Sequence, residues 1–313
     1  MRGRALLRTL VVALLLAAPT PSSGQDATSG RRVAATLPDL SGLAWLSDDV
    51  FVGVHDAKNP KENDRPRVSL LWLPASPEGI TWRPVELAWP EPLGPSSDLE
   101  SAARIPGTRS LLLVESGEGK AAGEPARRIF LAERVDQDLR IAATAEWPAS
   151  VKNVEGTAVA RVGNRLIFIY AERAQGQPST NIRWAPLELQ PLGFGAFQEV
   201  TFPSPDPPGP DARPVSAIEV DDAGRLYAAS AFDPGDDNGP FRSAVWRIGR
   251  VEAGDDRGPR VVLDAQPQRL ATLDGLKVES LAARQGSGSD TLLYVGTDDE
   301  NYGGTLRPLP PRP

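Results

Sequence analysis

The chain of 313 residues has no cysteine and a single histidine, His55. Without cysteine there is neither a disulfide nor a thiolate, so a packed core must supply the stability. One histidine is too few for a histidine-rich zinc site, and a Ser–His hydrolase would have to use His55 as its base. The sequence also lacks the Gly-x-Ser-x-Gly nucleophile elbow and the phosphate-cradling P-loop, which excludes two common classes of enzyme.

Apolar runs long enough to span a bilayer are missing as well. The run at residues 10–18 follows three arginines and precedes small residues at 22–24, which is the pattern of an export signal. We therefore predict a signal peptide over residues 1–24 and one mature domain over residues 25–313, secreted or periplasmic and without a membrane span. The alternative is a signal that stays uncleaved and acts as an anchor.

Positive charge is in the minority. Lysine and arginine number 34 against 41 aspartates and glutamates, so the formal net charge is −7. Loss of the predicted signal, which carries three arginines, takes this value to about −10. An acidic chain argues against nucleic-acid and anionic-membrane partners, which require a basic surface, and it permits cations. A small polar molecule or a protein is therefore the expected partner.

A short sequence pattern recurs five times along the chain. Its copies begin at Asp39, Asp98, Asn153, Pro214 and Lys277. The third residues of the copies are Ser41, Glu100, Glu155, Ser216 and Glu279, so consecutive copies are 55 to 63 residues apart. A regular period of this size is typical of a closed or stacked array of one supersecondary unit.

Each copy opens a unit of four β-rich runs separated by turn residues. In the first unit the pattern at residues 39–44 starts the first strand, and the runs that follow are residues 50–54, 68–72 and 81–89. Continuous apolar runs predict strands that are buried on both faces, and the turn residues between the first two runs predict a hairpin. The sequence thus predicts an all-β protein, a β-propeller of about five four-stranded blades, or of six if one unit is too degraded to recognise. A β-sandwich is the weaker rival, because it does not explain the period.

The fifth unit is incomplete, so we expect N-terminal and C-terminal strands to close the ring together. After Tyr294 only residues 304–307 can form a third strand, and residues 32–36 are the expected fourth. Aromatic residues recur in the third run of the units, as Trp72, Trp184 and Trp246. We expect them to pack between blades, with a sugar-binding platform as the alternative.

Acidic residues gather at one predicted mouth of the propeller, because the first strand of a blade starts where the second strand ends. The acidic residues that start first strands are Glu100, Glu155 and Glu279. Those that follow second strands are Asp56, Glu115, Glu172, Asp233, Asp298, Asp299 and Glu300. His55 lies at the same predicted mouth and is a candidate catalytic residue.

So many carboxylates around one axis need compensation. A bound cation is the simplest, with Ca²⁺ preferred for hard oxygen ligands and with Glu100, Glu155 and Glu279 as the predicted metal ligands. Arginine is the alternative, and Arg104, Arg173 and Arg307 are the candidates. A purely structural role also stays open, in which the early glutamates and serines of the pattern cap neighbouring backbone groups and join blade to blade.

The repeat resembles that of a known family. Residues 39–44, 153–158 and 277–282 look like repeats of exported bacterial phytase-like propellers, a group described as having esterase-like activity of phytase. Residues 298–304 are similar to a terminal motif in related propellers. The resemblance implies a propeller with a polar, calcium-dependent axial site that acts on phosphate or ester substrates.

Two functions follow from these observations. The first is an exported, metal-assisted hydrolase of esters or phosphoesters, in which metal-bound water attacks and Glu155 is the general base. The second is a non-catalytic binding or scaffold propeller whose carboxylates are structural ties or hold a structural Ca²⁺.

Overall fold

A computed structural model describes residues 32 to 309, with gaps at 35–36, 58–65, 77–78, 122–123, 255–257 and 287–289. The predicted signal peptide lies outside the described residues. Strands account for the regular structure of the described part of the chain, apart from a 3₁₀ turn at Glu300–Tyr302. No helix in that part has the length and apolar character needed to cross a bilayer.

Apart from one two-stranded hairpin, the strands of the described residues form five sheets, which are the blades of the propeller. Blade 1 contains β1 (Arg32–Ala34), β2 (Gly42–Ser47), β3 (Val50–Val54), β4 (Val68–Ser76) and β5 (Gly79–Pro84). Blade 2 contains β6 (Leu99–Arg104), β7 (Ser110–Glu115), β10 (Arg128–Val135) and β11 (Asp138–Glu146), and a small hairpin of β8 (Lys120–Ala121) and β9 (Glu124–Pro125) follows β7.

Blade 3 contains β12 (Val154–Val162), β13 (Arg165–Glu172), β14 (Ser179–Leu189), β15 (Leu192–Phe194) and β16 (Gln198–Pro203). Blade 4 contains β17 (Ala212–Val220), β18 (Arg225–Phe232), β19 (Arg242–Glu252) and β20 (Arg260–Asp274). Blade 5 contains β21 (Val278–Gln285), β22 (Thr291–Thr297) and β23 (Leu306–Pro308). All strand pairs within the blades are antiparallel.

The inner strands of the five blades surround a common axis. They are β2, β6, β12, β17 and β21, and each contacts the next, with β21 returning to β2. The strand that carries the repeat pattern, six to nine residues long, is therefore the innermost strand of each blade. The predicted five-bladed β-propeller is confirmed, and the six-bladed and sandwich alternatives are wrong.

The hydrophobic core is divided into five clusters, and each cluster lies between two neighbouring blades. This arrangement explains why the apolar runs are continuous, because every sheet packs against a neighbour on both faces. Trp184 and Trp246 are buried in the cluster between blades 3 and 4, and Trp72 packs against the cluster between blades 1 and 2. The expected role of these tryptophans in packing between blades is confirmed.

The N-terminal strand pairs elsewhere than we predicted. Strand β1 adds to the outer edge of blade 1, where Arg32 is opposite Trp82 and Ala34 is opposite Ile80. The prediction that residues 32–36 supply the fourth strand of the last blade is wrong, and blade 5 has three strands among the described residues. The physical reason is that the outer edge of β5 offers its own unpaired backbone groups, which β1 satisfies.

The ring is closed instead by the segment that follows β1. The backbone N–H of Leu40 donates to the Thr297 carbonyl at 3.0 Å, and the N–H of Gly304 donates to the Leu37 carbonyl at 2.7 Å. Leu37 and Leu40 are buried in one hydrophobic cluster with Tyr294 of blade 5. The segment at residues 37–40 and the C-terminal blade therefore meet at the junction of blades 1 and 5.

Candidate functional site

Three of the inner strands place a glutamate at the axis through the same local irregularity. The strand register shifts between Leu99 and Ser101, between Val154 and Gly156, and between Val278 and Ser280. In each case the residue left out of the ladder is the glutamate: Glu100, Glu155 or Glu279. A β-bulge of this kind re-aims a side chain that regular pairing would hold in the sheet.

The three bulges bring the glutamates together. Carboxylate oxygens of Glu100, Glu155 and Glu279 all lie within 4.8 Å of one another. The residues are only 3, 2 and 4% exposed. We call this group the axial glutamate cluster. The sequence-based prediction that these three residues converge is confirmed, while their role as metal ligands stays a prediction.

A small cavity adjoins the axial glutamate cluster. It is lined by Glu155, by Glu279 and by inner-strand residues of all five blades, and its volume is about 10 Å³. This is about the space that one water-sized sphere requires. The axis can therefore hold a single small species beside the carboxylates.

Cations from neighbouring strands compensate part of the negative charge. Arg173 donates from Nε to Glu155 at 2.6 Å, and Arg213 donates from Nη1 to Glu279 at 2.6 Å. The Nζ atom of Lys277 lies 3.5 Å from Glu279. Further carboxylates share these cations, namely Asp233 with Arg213 and Lys277, and Asp298 and Glu300 with Lys277. Together with the axial glutamate cluster, six carboxylates thus meet three cations.

The environment separates the titration of two neighbouring glutamates. Burial raises the pKa of Glu155 to about 7; the Arg173 charge opposes this rise, and the Glu100 and Glu279 charges add to it. Burial also acts on Glu279, but the Lys277 and Arg213 charges outweigh it and lower its pKa to about 2. Glu279 is therefore ionised at neutral pH, whereas Glu155 exchanges a proton there.

A second acidic group shares Glu100 with the axial glutamate cluster. One carboxylate oxygen each from Asp56, Asp98 and Glu100 lies within 4.8 Å of the others. Asp98 also accepts a hydrogen bond from the backbone N–H of Gly119 at 2.8 Å and one from the Ser116 hydroxyl. Asp56 was predicted at the mouth from the sequence, whereas Asp98 was noted only as the first residue of its repeat copy.

Two other predicted residues of the mouth are engaged within their own blades. Glu115 is fully buried and forms an ion pair with Arg128, whose Nη2 lies 2.6 Å from the carboxylate. Glu172 accepts a hydrogen bond from the backbone N–H of Lys152 at 2.8 Å and lies 3.4 Å from Arg183. The structure therefore does not join Glu115 and Glu172 to the axial glutamate cluster.

His55 is held inside blade 1. Its Nδ1 lies 2.6 Å from the Asp39 carbonyl oxygen, which only accepts, so Nδ1 is the donor. In the neutral ring Nε2 then accepts from the Ser69 hydroxyl at 2.8 Å. These two bonds link Asp39 to Ser69 of β4 and engage both ring nitrogens of His55. The catalytic role of His55 stays a prediction, and this geometry favours a structural role instead.

Arg104 lies at the wrong end of its strand to compensate the axial carboxylates. It forms an ion pair with Asp222 and stacks over Trp45 at 5.2 Å. Arg104 ends β6, while Glu100 lies near the start of that strand, and each residue of a strand adds about 3.3 Å. The prediction that Arg104 approaches the mouth is wrong, whereas the one for Arg173 is confirmed.

The sequence analysis missed Lys277 and Arg213. Lys277 is only 2% exposed and its Nζ lies 3.2 Å from Asp298. A signal for it existed, because Lys277 occupies the repeat position where other copies have Asp39, Asp98 and Asn153. Arg213 precedes its repeat copy by one residue and gave no comparable signal.

Hydroxyl groups of the repeat join neighbouring blades. The Ser101 oxygen accepts from the Thr157 backbone N–H at 3.0 Å, Ser216 donates to the Val278 carbonyl at 2.7 Å, and Ser280 donates to the Leu40 carbonyl at 3.3 Å. The structural role predicted for the serines of the pattern is therefore confirmed.

No family model and no curated protein matches the chain. Solved structures that are similar include an exo-1,5-α-L-arabinanase from a bovine ruminal metagenomic library, with 11% identity, a TM-score of 0.46, and coverage of 88% of this chain and 95% of that one. A GH32 β-fructofuranosidase from Bombyx mori shows 11% identity and a TM-score of 0.46 over 88% of this chain and 60% of that one. Similarity this low carries no inference about activity.

Proposed function

We propose that the protein is a binding or scaffold propeller stabilised by a divalent cation, with Ca²⁺ held at the axis by Glu100, Glu155 and Glu279. The observation that carries this proposal is the convergence of three bulged glutamates from three blades, with oxygens within 4.8 Å of one another. Oxygens that share one Ca²⁺ lie about 2.4 Å from it, and so up to about 5 Å from each other. The spacing therefore suits a single ion.

The charge balance supports the same proposal. Six carboxylates meet three cations around the axis, so a divalent cation would neutralise charge that the arginines and the lysine leave. Binding would require Glu155 to lose its proton, because only the ionised carboxylate is a good ligand. Affinity for Ca²⁺ should therefore increase as the pH rises through about 7, the pKa of Glu155.

The size of the axial cavity favours a scaffold over an enzyme. About 10 Å³ accommodates an ion but not an ester or a phosphoester, and the glutamates beside it are almost fully buried. A cation that bridges blades 2, 3 and 5 would instead stabilise a ring that has no disulfide. Export to the periplasm or the medium, where Ca²⁺ is available, belongs to this proposal.

Hydrolysis is the second candidate function, and one observation favours it. Glu155 has a pKa of about 7, which is the value that suits a general base at neutral pH. An ester or phosphoester hydrolase of the phytase-like kind would use Glu155 in this role, provided that the axial glutamate cluster opens to the substrate.

A calcium titration tests the proposed function. The mature protein is stripped with EDTA, and its melting temperature and heat of binding are followed as Ca²⁺ is added. We expect saturable binding of one ion and a stabilisation of about 2.7 kcal/mol at a hundredfold excess over the dissociation constant. Glu155→Gln should abolish both effects, while Glu188→Gln, on the exposed surface of β14, should preserve them.

The alternatives give different results in the same experiment. An unchanged melting curve and no heat of binding in the wild-type protein would contradict the cation site. A panel of chromogenic esters and phosphoesters completes the test, because calcium-dependent turnover that is lost in Glu155→Gln would identify a hydrolase.

A further inference from the structure

Blade 4 carries a second, much larger cavity at the same end of the propeller. Its volume is about 630 Å³, within the range of small-molecule sites. It lies between the starts of β17 and β19 and the ends of β18 and β20, and it includes the loop at residues 204–209. No residue of the axial glutamate cluster lines it, so this blade 4 cavity is a separate site.

The walls of the blade 4 cavity are mainly apolar. They include Pro207, Pro208, Pro240, Phe232 and Phe241. Phe232 is 39% exposed, unlike most large apolar residues of the described chain. An exposed aromatic ring in a concave apolar site is a surface on which a flat apolar face can stack.

Two polar atoms of the lining have hydrogen-bonding capacity that the protein does not use. Nε of Arg213 is a buried donor without a hydrogen-bond partner, and Oδ1 of Asp206 is a buried acceptor without one. Arg213 itself is only 6% exposed. Because leaving buried polar groups unpaired costs free energy, both atoms favour a ligand that offers an acceptor and a donor.

The charges of these two residues are already compensated, which restricts the ligand further. Arg213 forms ion pairs with Asp233 and Glu279. Oδ1 of Asp206 lies 4.0 Å from Arg242 and 3.7 Å from Arg269. An anionic ligand at Arg213 would meet the carboxylates of Asp233 and Glu279, and an ammonium group at Asp206 would meet two guanidinium groups. A neutral ligand avoids both repulsions.

From these features we infer that the blade 4 cavity binds a neutral sugar ring, as a monosaccharide or the end unit of a short oligosaccharide. Hydroxyl groups both donate and accept, so the hydroxyls of a sugar offer the donor that Asp206 Oδ1 needs and the acceptor that Arg213 Nε needs. The C–H face of the ring would stack on Phe232, and the apolar walls would exclude water around it. The inference does not depend on a cation at the axis.

Saturation-transfer NMR with named sugars tests this inference. The probes are methyl β-glucoside, methyl β-xyloside and arabinose, with glucuronate as the anionic ring and phenylalanine as the zwitterion. We expect saturation transfer and a measurable dissociation constant for at least one neutral sugar, and binding at least tenfold weaker for glucuronate and phenylalanine. Absence of transfer to every neutral sugar, or preference for a charged probe, would overturn the inference.

Variants locate the binding. Phe232→Ala removes the stacking surface, and Asp206→Asn removes the carboxylate charge and one of its two acceptor oxygens while preserving the shape of the side chain. Each should weaken the binding of the neutral sugar about tenfold, the cost of about one lost hydrogen bond or stacking contact. Tyr302→Ala is the matched control, because Tyr302 is 63% exposed and lies outside the cavity lining.

Melting curves and a comparison of sugar binding among the variants complete the experiment. Unchanged melting curves for Phe232→Ala and Asp206→Asn would show that the fold is preserved, so that weaker binding reports on the cavity. Equal sugar binding in the wild type and both variants, or the same loss in Tyr302→Ala, would overturn the assignment to blade 4.

Discussion

Two buried glutamates exchange protons near neutral pH, one at each end of the inner strands. Glu155 lies at the start of β12, and Glu219 lies near the end of β17. Burial raises the pKa of Glu219 to about 7 despite the opposing charge of Arg104. The Glu219 carboxylate also accepts backbone hydrogen bonds from Val220 at 2.7 Å and from Ala283 at 3.1 Å, which ties blade 4 to blade 5.

These pKa values predict how stability depends on pH. A carboxyl whose pKa rises from 4.5 to about 7 on folding stabilises the protein fully below pH 4.5, and the contribution is lost as the pH rises to about 7. A rise of this size corresponds to about 3 kcal/mol for each group. In EDTA, urea unfolding at pH 5, 6, 7 and 8 should therefore show a free energy of unfolding that falls between pH 5 and 7 and then levels off.

The variant Glu155→Gln removes the contribution of one of these groups. Glutamine cannot ionise, so the slope between pH 5 and 7 should be shallower than that of the wild-type protein. Glu279, whose pKa is lowered to about 2, acts in the opposite direction and loses its contribution only as the pH falls from 4.5 towards 2. An identical slope in Glu155→Gln and the wild type would show that Glu155 is ionised in the folded protein.

At the residue scale, the sequence predicted those site residues that recur at one position of the repeat. Glu100, Glu155 and Glu279 occupy one position of the pattern, and the symmetry of the ring brings that position to the axis in every blade. The sequence did not predict that Glu115 would pair within its own blade. The end of a strand indicates how far along the axis a residue lies, but not the face of the sheet to which its side chain points. Arg213 was missed because it occurs in one blade alone.

The packing of one inner strand against the next depends on the small residues beside the axial positions. A Cβ atom at Gly156 would lie 2.6 Å from the Ile218 backbone nitrogen and 2.9 Å from the Ala217 carbonyl carbon. Backbone atoms cannot move away from such a close contact as easily as the end of a flexible side chain can. The glycine therefore sets the distance between blades 3 and 4.

We expect Gly156→Ala to lower the free energy of unfolding by about 1–3 kcal/mol, the usual cost of overpacking. Gly193→Ala is the control, because the closest atom to its new Cβ would be the Pro191 carbonyl oxygen at 3.9 Å. Thermal and urea unfolding of both variants measure the difference. Equal free energies of unfolding for Gly156→Ala and the wild type would contradict the prediction, because blades 3 and 4 would then accommodate the added methyl group without loss of stability.

At the scale of the element, apolar runs and turn residues predicted the strands well. The pairing of β1 was not predictable in this way. A short strand at a sheet edge pairs wherever backbone groups are free, and the outer edges of blades 1 and 5 were equivalent in the sequence. The bulges were equally hidden, since a bulged residue looks like any other residue of its strand.

The whole molecule is a ring whose first and last blades meet through long-range contacts. The hydrogen bond from Ser280 to the Leu40 carbonyl joins residues 240 positions apart. Contacts of this separation form slowly, because closing a long loop costs entropy before any other contact repays it. Blades 2, 3 and 4 consist of local hairpins and do not share this cost.

Ring closure should therefore be late in refolding. In pulsed hydrogen exchange, the amide of Leu40, which bonds to Thr297 at 3.0 Å, should become protected after the amide of Ile169, in the second strand of blade 3. Mass spectrometry of peptides that cover the two residues measures both times. Simultaneous protection would show that the five blades fold as one cooperative unit.

The bulges at the axis also separate the axial side chains from the backbone pairing that holds each blade together. Because Glu100, Glu155 and Glu279 are the extra residues in their strands, none of them takes part in the ladder that holds its blade together. Blades 1 and 4 have Ser41 and Ser216 at the corresponding repeat position. The three glutamates can thus change without breaking the hydrogen-bond ladder of a sheet, so the same scaffold can present a new chemistry at its centre through a handful of substitutions.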